Sequence, residues 1–303
     1  MKRRKFIEDS SKATAVLMMA PGLSILSSIG KDKVRLGFIG VGARGLTTLK
    51  LALERNDTEV TSICDTDPIT LKRASDMIAK AGKREAKVFT GNDLAYKTML
   101  EDKNLDAVII STPWEWHTPM SLDAMNAGKA VGCEVAGAMS LDECWQLVRT
   151  HERTQTPFMI LENVCYRRDV MAILNMTRQE LFGEMIHLEG GYQHDLREVK
   201  FNDGVKYYGG GVEFGDKGYS EARWRTTHSV HRNGDLYPTH GIGPIGSYIN
   251  NNRGNRFEYL TSMSSKARGL HDYIVNHPKG GPDHPNAKVK FRLGDVVTTH
   301  IMT

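Results

Sequence analysis

The sequence predicts an α/β protein with a doubly wound parallel sheet at its N-terminus and an α+β domain with a mainly antiparallel open sheet after it. Two observations predict the first part: short β-branched strands alternate with helical patterns, and the first strand ends at a glycine-rich turn. One observation predicts the second part, because this alternation stops near residue 165. A chain of 303 residues is long enough for two domains.

The first half alternates strand and helix in a regular order. Strands are predicted at 34–39, 59–64, 106–111, 130–133 and 157–161, and helices at 46–53, 68–81 and 141–154. Helical connections between strands are typical of parallel sheets, because a parallel pair cannot be joined by a short hairpin. Residues 31–165 are therefore predicted to form one domain.

The second half, residues 166–303, follows a different pattern. A helix is predicted at 169–182, closed by Gly183, and a strand at 185–193. Residues 203–218 contain six glycines, which favours a loop over a cleft. Residues 259–303 alternate like sheet strands and stop in what we interpret as mid-sheet, so an incomplete C-terminal domain is expected.

Residues 1–30 have the features of an export signal: a basic start, a mildly apolar run and then small residues. The segment Arg3-Arg4-Lys5-Phe6-Ile7 resembles a twin-arginine signal, which predicts export to the periplasm. Two alternatives are a membrane anchor and a disordered basic tail. The apolar run is far shorter than the roughly 20 residues of a spanning helix, so no membrane anchor is expected.

The formal net charge of +4 gives little reason to expect an acidic partner. The basic and acidic side chains of the first 30 residues account for +3 of it, which leaves a nearly neutral body. Binding to nucleic acid or to an anionic membrane would need a clustered basic face. The sequence therefore predicts neither partner.

Cysteine and histidine spacing predicts no metal site. The four cysteines, Cys64, Cys133, Cys144 and Cys165, have no C-x-x-C spacing, and we expect neither a disulfide nor a metal from them. The nearby histidines 228, 231 and 240 lack a known ligand motif.

The first strand ends at Gly40-Val41-Gly42-Ala43-Arg44-Gly45, and Asp65 follows at the end of the next strand. This is the context in which G-x-G-x-x-G indicates a Rossmann dinucleotide site, because glycines let the backbone approach the pyrophosphate at a helix N-terminus. Asp65 is expected to accept hydrogen bonds from the adenosine ribose. A 2′-phosphate would be repelled there, so the predicted cofactor is NAD rather than NADP.

Two further segments resemble the glucose-fructose oxidoreductase and inositol dehydrogenase family. They are Thr112-Pro113-Trp114-Glu115-Trp116-His117-Thr118-Pro119 and, one predicted helix later, Gly128-Lys129-Ala130-Val131-Gly132-Cys133-Glu134. That family continues with a lysine that serves hydride transfer, and Val135 stands in its place here. The difference argues against simple dehydrogenase activity.

The segments 223–228 and 232–244, above all Tyr237-Pro238-Thr239-His240, resemble the signature of glycoside hydrolase family 109. These enzymes are NAD-dependent α-N-acetylgalactosaminidases of the same superfamily. The resemblance also includes the leader, residues 114–117, 134–135 and 191–195, and so covers nearly all of the chain.

The resemblance implies three sets of site residues. Those implied for the chemistry are Glu162, Tyr192, His194, Tyr237 and His240. Those implied for NAD, with the glycine turn, are Gly40, Gly42, Ala43, Arg44, Asp65, Trp114, Glu115, Trp116, His117, Glu134, Val135 and Asn163. Those implied for the sugar pocket are Tyr192, Arg225, Tyr237, Pro238, Thr239 and His240, and a further pocket tyrosine of the family would lie beyond Thr303.

The implied reaction releases terminal α-linked N-acetylgalactosamine through oxidation at C3, elimination across C2 and C1, addition of water and reduction. We expect His240 to act at C3, and Tyr192 or Tyr237 with His194 around C2 and the leaving group. An NAD-dependent sugar or cyclitol dehydrogenase is the alternative, and a nucleotide-holding binding protein without activity is the third candidate. Trp114 and Trp224 are predicted either to stack on sugar or to serve as buried anchors. An assembly of identical subunits is compatible with the sequence.

Overall fold

The structure, a computed structural model, describes residues 33–303, and the predicted leader lies outside the described residues. The chain divides into two units between Leu161 and Glu162, four residues before the boundary predicted from the loss of alternation.

The first unit is built on a six-stranded sheet in which every pair of neighbours is parallel. Its strands are β1 Val34–Ile39, β2 Thr58–Cys64, β3 Lys87–Phe89, β4 Ala107–Ile110, β5 Ala130–Cys133 and β6 Phe158–Ile160, in the order β3-β2-β1-β4-β5-β6. Its helices are α1 Ala43–Leu53, α2 Pro68–Lys80, α3 Ala95–Leu100, α4 Trp114–Asn126 and α5 Leu141–Thr154. The order reverses between β1 and β4, which is where open α/β sheets bind ligands.

Helices cover both faces of this sheet, as the sequence predicts. Successive residues of a strand point to opposite faces. Phe38 accordingly packs in a core with residues of α1 and α2, whereas Ile39 packs in a second core with residues of α3, α4 and α5. The predicted doubly wound parallel sheet is confirmed. Two elements of this unit, β3 and α3, lack a counterpart among the predicted ones.

The second unit is mostly helical and contains one small antiparallel sheet. Its elements are the helices α6 Arg168–Arg178, α7 Arg197–Lys200, α8 Glu221–His231, α9 Thr239–Tyr248 and α10 Gly269–Asn276, the strands β7 Tyr259–Ser264 and β8 Val297–Met302, and 3₁₀ helices at Asn163–Tyr166, Gly215–Lys217 and Pro285–Lys288. Its core is aromatic: Phe201 is fully buried, stacks on Tyr273 and meets the edges of Phe214 and Phe291.

The strand predicted at 185–193 is not formed. A strand needs a partner, and within residues 162–303 the two strands β7 and β8 pair with each other. Residues 185–193 pass without regular structure instead, with Ile186 almost fully exposed and Gly190 lying against Gly241 of α9. The alternation of apolar residues in this segment therefore does not correspond to a strand with one buried face.

The strands predicted across 259–303 are formed only at the two ends of that range. Helix α10 and a 3₁₀ helix occupy the middle, because Ile274 and Tyr273 of α10 belong to the aromatic core. The carboxylate of Asp295 accepts hydrogen bonds from the amides of Arg268 and Gly269 at the start of α10. This cap comes from 26 residues away, so local sequence did not reveal it.

The helix predicted after residue 168 is shorter than expected, whereas the predicted glycine-rich loop is formed and contains the 3₁₀ helix Gly215–Lys217. The helix predicted at 169–182 ends at Arg178, and Glu180 follows with a positive φ of 58°. The glycine-rich segment 203–218 is a loop as predicted, and Asn202 ties its ends together. Asn202 Nδ2 donates to the carbonyl of Tyr219 at 2.7 Å, and its Oδ1 accepts from the amide of Gly204 at 3.0 Å.

Candidate functional site

The glycine turn after β1 has the three distinct roles that a dinucleotide loop requires. Gly40 has a φ of +84°, and a Cβ there would lie 2.7 Å from the backbone of Ser111. A Cβ on Gly45 would lie 2.1 Å from the carbonyl oxygen of Gly40, so this glycine allows the helix to pack on the strand. A Cβ on Gly42 would meet nothing within 4 Å. The backbone at Gly42 is thus open to a ligand, which fits the pyrophosphate of NAD.

Asp65 lies at the C-terminal end of β2 and orients the glycine turn. Its Oδ2 accepts from the amide of Val41 at 2.8 Å, and its Oδ1 accepts from the amide of Asp67 at 2.9 Å. Burial raises the pKa of Asp65. Each carboxylate oxygen has two lone pairs, so Asp65 can accept a ribose hydroxyl in addition to these amides.

The other residues implied for NAD occupy different environments in the first unit. Arg44 lies in the first turn of α1, with its Nε 3.7 Å from Oε2 of Glu134, a buried side chain directly after β5. Glu115 is exposed, and Trp116 is partly buried against the core. Trp114 is 4% exposed, so this tryptophan is a buried anchor. Val135 is buried, and Ala43 begins α1.

In the second unit, the structure brings together all five residues implied for the chemistry. The rings of Tyr192, Tyr237 and His240 meet pairwise with centroids 4.8 to 5.0 Å apart. The hydroxyl of Tyr192 is 2.6 Å from Nδ1 of His194, and Nδ1 of His240 is 2.7 Å from Oε1 of Glu162. We call these five residues the Tyr-His cluster.

The glycines of the His240-Gly241-Ile242-Gly243 segment explain how the cluster is assembled. His240 lies in the first turn of α9. A Cβ on Gly243, one turn later, would come within 3.1 Å of the Glu162 side chain, and a Cβ on Gly241 would come within 3.1 Å of the backbone of Gly190. Small residues at both positions let α9 approach Glu162 and the segment that leads to Tyr192.

Glu162 determines which nitrogen of His240 is available to a substrate. Its Oε1 accepts from the amide of Val164 at 2.9 Å and faces Nδ1 of His240, and its side chain is 10% exposed. An accepting carboxylate holds the proton on Nδ1, which leaves the Nε2 lone pair to act as a base. Oε2 of Glu162 is buried and has no hydrogen-bond partner within residues 33–303.

Arg225 of α8 joins this cluster through an aromatic contact. Its guanidinium lies 5.5 Å from the ring centre of Tyr237 and 5.4 Å from that of Trp224, and its Nε is 2.7 Å from Oε2 of Glu221. Pro238 is exposed, whereas the Thr239 hydroxyl is buried without a hydrogen-bond partner among the described residues. Asn163, implied for NAD, is exposed at the start of the 3₁₀ helix that Glu162 caps.

Lys200 is a charged residue near this cluster that the sequence did not single out. It ends α7, and its carbonyl accepts from the hydroxyl of Thr226, the residue after Arg225. Burial and the charge of Arg225 lower the pKa of the Lys200 amine to about 8. Its flanking residues, Val199 and Phe201, are apolar, which is the one local sign of its burial.

We expect Lys200→Met to raise the free energy of unfolding at pH 7 by about 1–3 kcal/mol after allowance for partial solvent exposure. The folded pKa of about 8 lies below that of an unfolded lysine. Below pH 8 both states hold the proton, so the full cost of burying the charge is present. Above pH 8 the folded state releases the proton first, and the wild type gains stability until the pH passes the unfolded pKa.

Urea unfolding at pH 7 and at pH 9.5 would test this expectation, with the exposed Lys217→Met as the matched control. The advantage of the Lys200 variant should shrink at the higher pH, and the control should show no such change. A Lys200 variant less stable than the wild type at pH 7 would contradict the expected cost of the buried amine.

Two findings concern the described residues as a whole. Within residues 33–303, no three or more His, Cys, Asp or Glu side chains converge as a metal site requires, and the four cysteines are unpaired. In the same part of the chain, none of the helices combines the length and the apolar character needed to cross a membrane.

Two family profiles match this chain. The profile described as "Glycosyl hydrolase 109, C-terminal domain" matches residues 166–303, and "Oxidoreductase family, NAD-binding Rossmann fold" matches residues 34–161. The chain belongs to glycosyl hydrolase family 109. The predicted family is thereby confirmed, and so is the NAD-binding Rossmann domain, whose open backbone at Gly42 and acidic Asp65 fit that cofactor.

Relatives in this family extend beyond the region they share with the chain. A glycosyl hydrolase family 109 protein of Stenotrophomonas maltophilia is 56% identical over 99% of this chain and 66% of its own length. An alpha-N-acetylgalactosaminidase of Tannerella forsythia is 52% identical over 88% of this chain and 58% of its own length. The chain thus spans about three fifths to two thirds of the curated relatives it matches.

Solved structures share the fold at low sequence identity. An NAD-binding protein from Listeria innocua has a TM-score of 0.54 at 20% identity, covering 89% of this chain and 63% of that one. Apo scyllo-inositol dehydrogenase from Lactobacillus casei has a TM-score of 0.58 at 15% identity, covering 80% and 61%. At these identities the likeness extends to the fold alone.

Proposed function

We propose that this protein is an NAD-dependent α-N-acetylgalactosaminidase that releases terminal α-linked N-acetylgalactosamine from glycans. The observation that carries the proposal is the Tyr-His cluster, in which four proton carriers and one carboxylate meet. The Tannerella forsythia relative named alpha-N-acetylgalactosaminidase, 52% identical, supports the choice of sugar. NAD-dependent glycosidases are an exception to the scheme in which two carboxylates flank the glycosidic bond.

NAD, when bound, would supply reversible oxidation at C3 of the sugar, which makes the C2 hydrogen acidic and leaves no net redox change. Gly40, Gly42 and Asp65 would hold it. His240, with its Nδ1 proton held by Glu162, presents Nε2 to take the proton of the C3 hydroxyl and to return it later. This use of a histidine suits a proton transfer that must run in both directions near neutral pH.

The Tyr192–His194 pair is suited to the proton at C2. Its 2.6 Å hydrogen bond lets the imidazole accept the phenolic proton, which would turn Tyr192 into a base. Tyr237 packs on both Tyr192 and His240, so its hydroxyl is the candidate donor to the leaving group. Arg225, over the Tyr237 ring, would help to orient the sugar.

A sugar or cyclitol dehydrogenase is the second candidate, because the first unit matches an oxidoreductase family. The position at which that family has a lysine for hydride transfer is occupied by Val135, which is 4% exposed and cannot exchange a proton. The five-residue cluster also supplies more proton carriers than a single oxidation would use. We therefore favour the glycosidase.

We also propose export by a twin-arginine route, with the periplasm as the destination. The support is the segment Arg3-Arg4-Lys5-Phe6-Ile7, which lies outside the described residues. Fractionation of cells that express the protein tests this, and retention of the uncleaved chain in the cytoplasm would contradict it.

Turnover in D₂O tests the reaction. We expect p-nitrophenyl α-N-acetylgalactosaminide to be cleaved with no NAD added, because the cofactor is regenerated in each cycle and stays bound. The released sugar should carry one deuterium at C2, since that hydrogen leaves and is replaced from solvent. Direct displacement at C1 would leave C2–H intact.

Mass spectrometry of the released N-acetylgalactosamine measures the exchange, and NMR assigns its position. Free N-acetylgalactosamine incubated with the protein in D₂O is the control for exchange after release. A product that retains C2–H after complete turnover would contradict the elimination mechanism even where cleavage occurs.

A further inference from the structure

His117 of α4 is buried between two backbone carbonyl groups. Its ring is 1% exposed, with Nδ1 at 2.7 Å from the carbonyl oxygen of Ala136 and Nε2 at 2.8 Å from that of Thr112. Thr112 follows β4 and Ala136 follows β5, and these strands are neighbours in the sheet. The ring therefore bridges the loops at the C-terminal ends of two adjacent strands, the edge at which such sheets bind dinucleotides.

This placement leaves the His117 side chain no polar atom with which to contact a nucleotide. An imidazole has two ring nitrogens and no other hydrogen-bonding group, and both face protein carbonyls. Burial lowers the pKa of His117. In the neutral ring one nitrogen donates its N–H to a carbonyl. The role implied for His117 as a direct NAD ligand is thus not one that its side chain can fill.

Two neighbouring contacts hold the same loop after β5. The hydroxyl of Thr118 donates to the carbonyl of Gly137 at 3.1 Å, and Oε2 of Glu143, in the first turn of α5, accepts from the amide of Met139 at 2.5 Å. With the Ala136 contact, the loop is attached at three points over four residues. Glu134 and Val135, which are implied for NAD, lie immediately before the first of these points.

We propose that His117 is a positioning residue, whose Nδ1–H donates to the carbonyl of Ala136 and holds the 134–139 loop in the conformation that binds NAD without contacting the nucleotide. Thr118 and Glu143 reinforce this position. The proposal concerns the nucleotide-binding unit alone and does not depend on the sugar or on glycosidase activity.

Conservative substitutions separate the two contacts of the ring. An asparagine amide occupies the region of Nδ1 and can donate to Ala136, whereas a glutamine amide reaches the region of Nε2 and can donate to Thr112. We expect His117→Phe to raise the dissociation constant for NAD about tenfold or more, the usual consequence of a lost buried hydrogen bond. His117→Asn should stay within about threefold of wild type, and His117→Gln should resemble the phenylalanine variant.

Titration of the nucleotide-free protein with NAD, followed by calorimetry, measures these constants, and a melting curve of each variant shows that it is folded. His151→Phe is the matched control, because His151 Nδ1 also lies 2.8 Å from a carbonyl oxygen, that of Thr156, at the far end of α5. Its NAD affinity should equal that of the wild type. Thr118→Val should weaken NAD binding in the same direction as His117→Phe.

A folded His117→Phe variant that binds NAD within twofold of wild type would overturn the proposal. Should that variant not fold, equal affinities for the asparagine and glutamine variants would overturn it instead. A wild type that binds no NAD would overturn both this proposal and the proposed cofactor-dependent function. If the wild type binds NAD and the variants bind it with unchanged affinity, this proposal alone would be overturned.

Discussion

His240→Ala is expected to slow glycoside cleavage by about 10²- to 10⁴-fold, the usual contribution of a general acid–base group. The physical reason is the 2.7 Å contact of Nδ1 with Glu162, which leaves Nε2 as the available base of the Tyr-His cluster. The glycine turn and Asp65 are unaffected by the change, so the variant should still contain NAD. The measurements are kcat/KM for the nitrophenyl glycoside and the nucleotide content of the denatured protein.

His231→Ala is the control for this prediction. His231 ends α8, and its side chain is exposed. We expect its activity to remain within about twofold of wild type, as for a surface substitution away from special features. Activity of the His240 variant above a third of wild type would exclude His240 as the base at C3. Loss of NAD from that variant would show that the residue acts on cofactor binding instead.

The first unit could be predicted well because its signals are local. The strands β1 and β5 have the predicted bounds, and α5 begins and ends where the helical spacing does. Each of these segments repeats its apolar residues at the period of its own structure, and the sheet buries both faces, so tertiary packing agrees with local preference. The glycine turn is equally local. A Cβ added at Gly45 would meet the turn itself, and one added at Gly40 would meet Ser111, directly after the adjacent strand β4. A Cβ added at Gly42 would meet nothing within 4 Å.

The second unit could be predicted less well because its structure depends on distant contacts. The segment 185–193 has strand-like alternation, but Gly190 packs on α9 and no strand of residues 162–303 pairs with the segment. Helix α10 depends on a cap from Asp295 and on the aromatic core around Phe201. Neither contact leaves a periodic signal.

At the candidate site, the family resemblance predicted residue roles that sequence periodicity could not. Glu162 and His240 are 78 residues apart, and periodicity does not join them. The resemblance placed both in the chemistry, and the structure brings them into contact. Lys200 and the bridging role of His117 were missed, because burial of a polar group depends on its neighbours in three dimensions.

The second large effect is expected in the glycine turn, where alanine substitutions of Gly42 and Gly45 should have different consequences. Gly45→Ala should destabilise the first unit by more than about 4 kcal/mol, because the new methyl would lie 2.1 Å from the carbonyl oxygen of Gly40. Gly42→Ala should leave the stability of the nucleotide-free protein unchanged, since its φ of −68° suits alanine and nothing lies within 4 Å.

The same Gly42→Ala change should weaken NAD binding by about 10²-fold or more, because a methyl at the open backbone keeps the pyrophosphate from its amide donors, each worth roughly 1.5–3 kcal/mol. Melting curves without nucleotide and titration with NAD separate the two effects. Gly82→Ala, in the turn after α2, is the control for a generic glycine effect: its φ of +63° predicts a modest loss of stability and no change in NAD affinity. A Gly42 variant that binds NAD like the wild type would show that the pyrophosphate does not approach this turn, and the cofactor geometry inferred from the three glycines would be wrong.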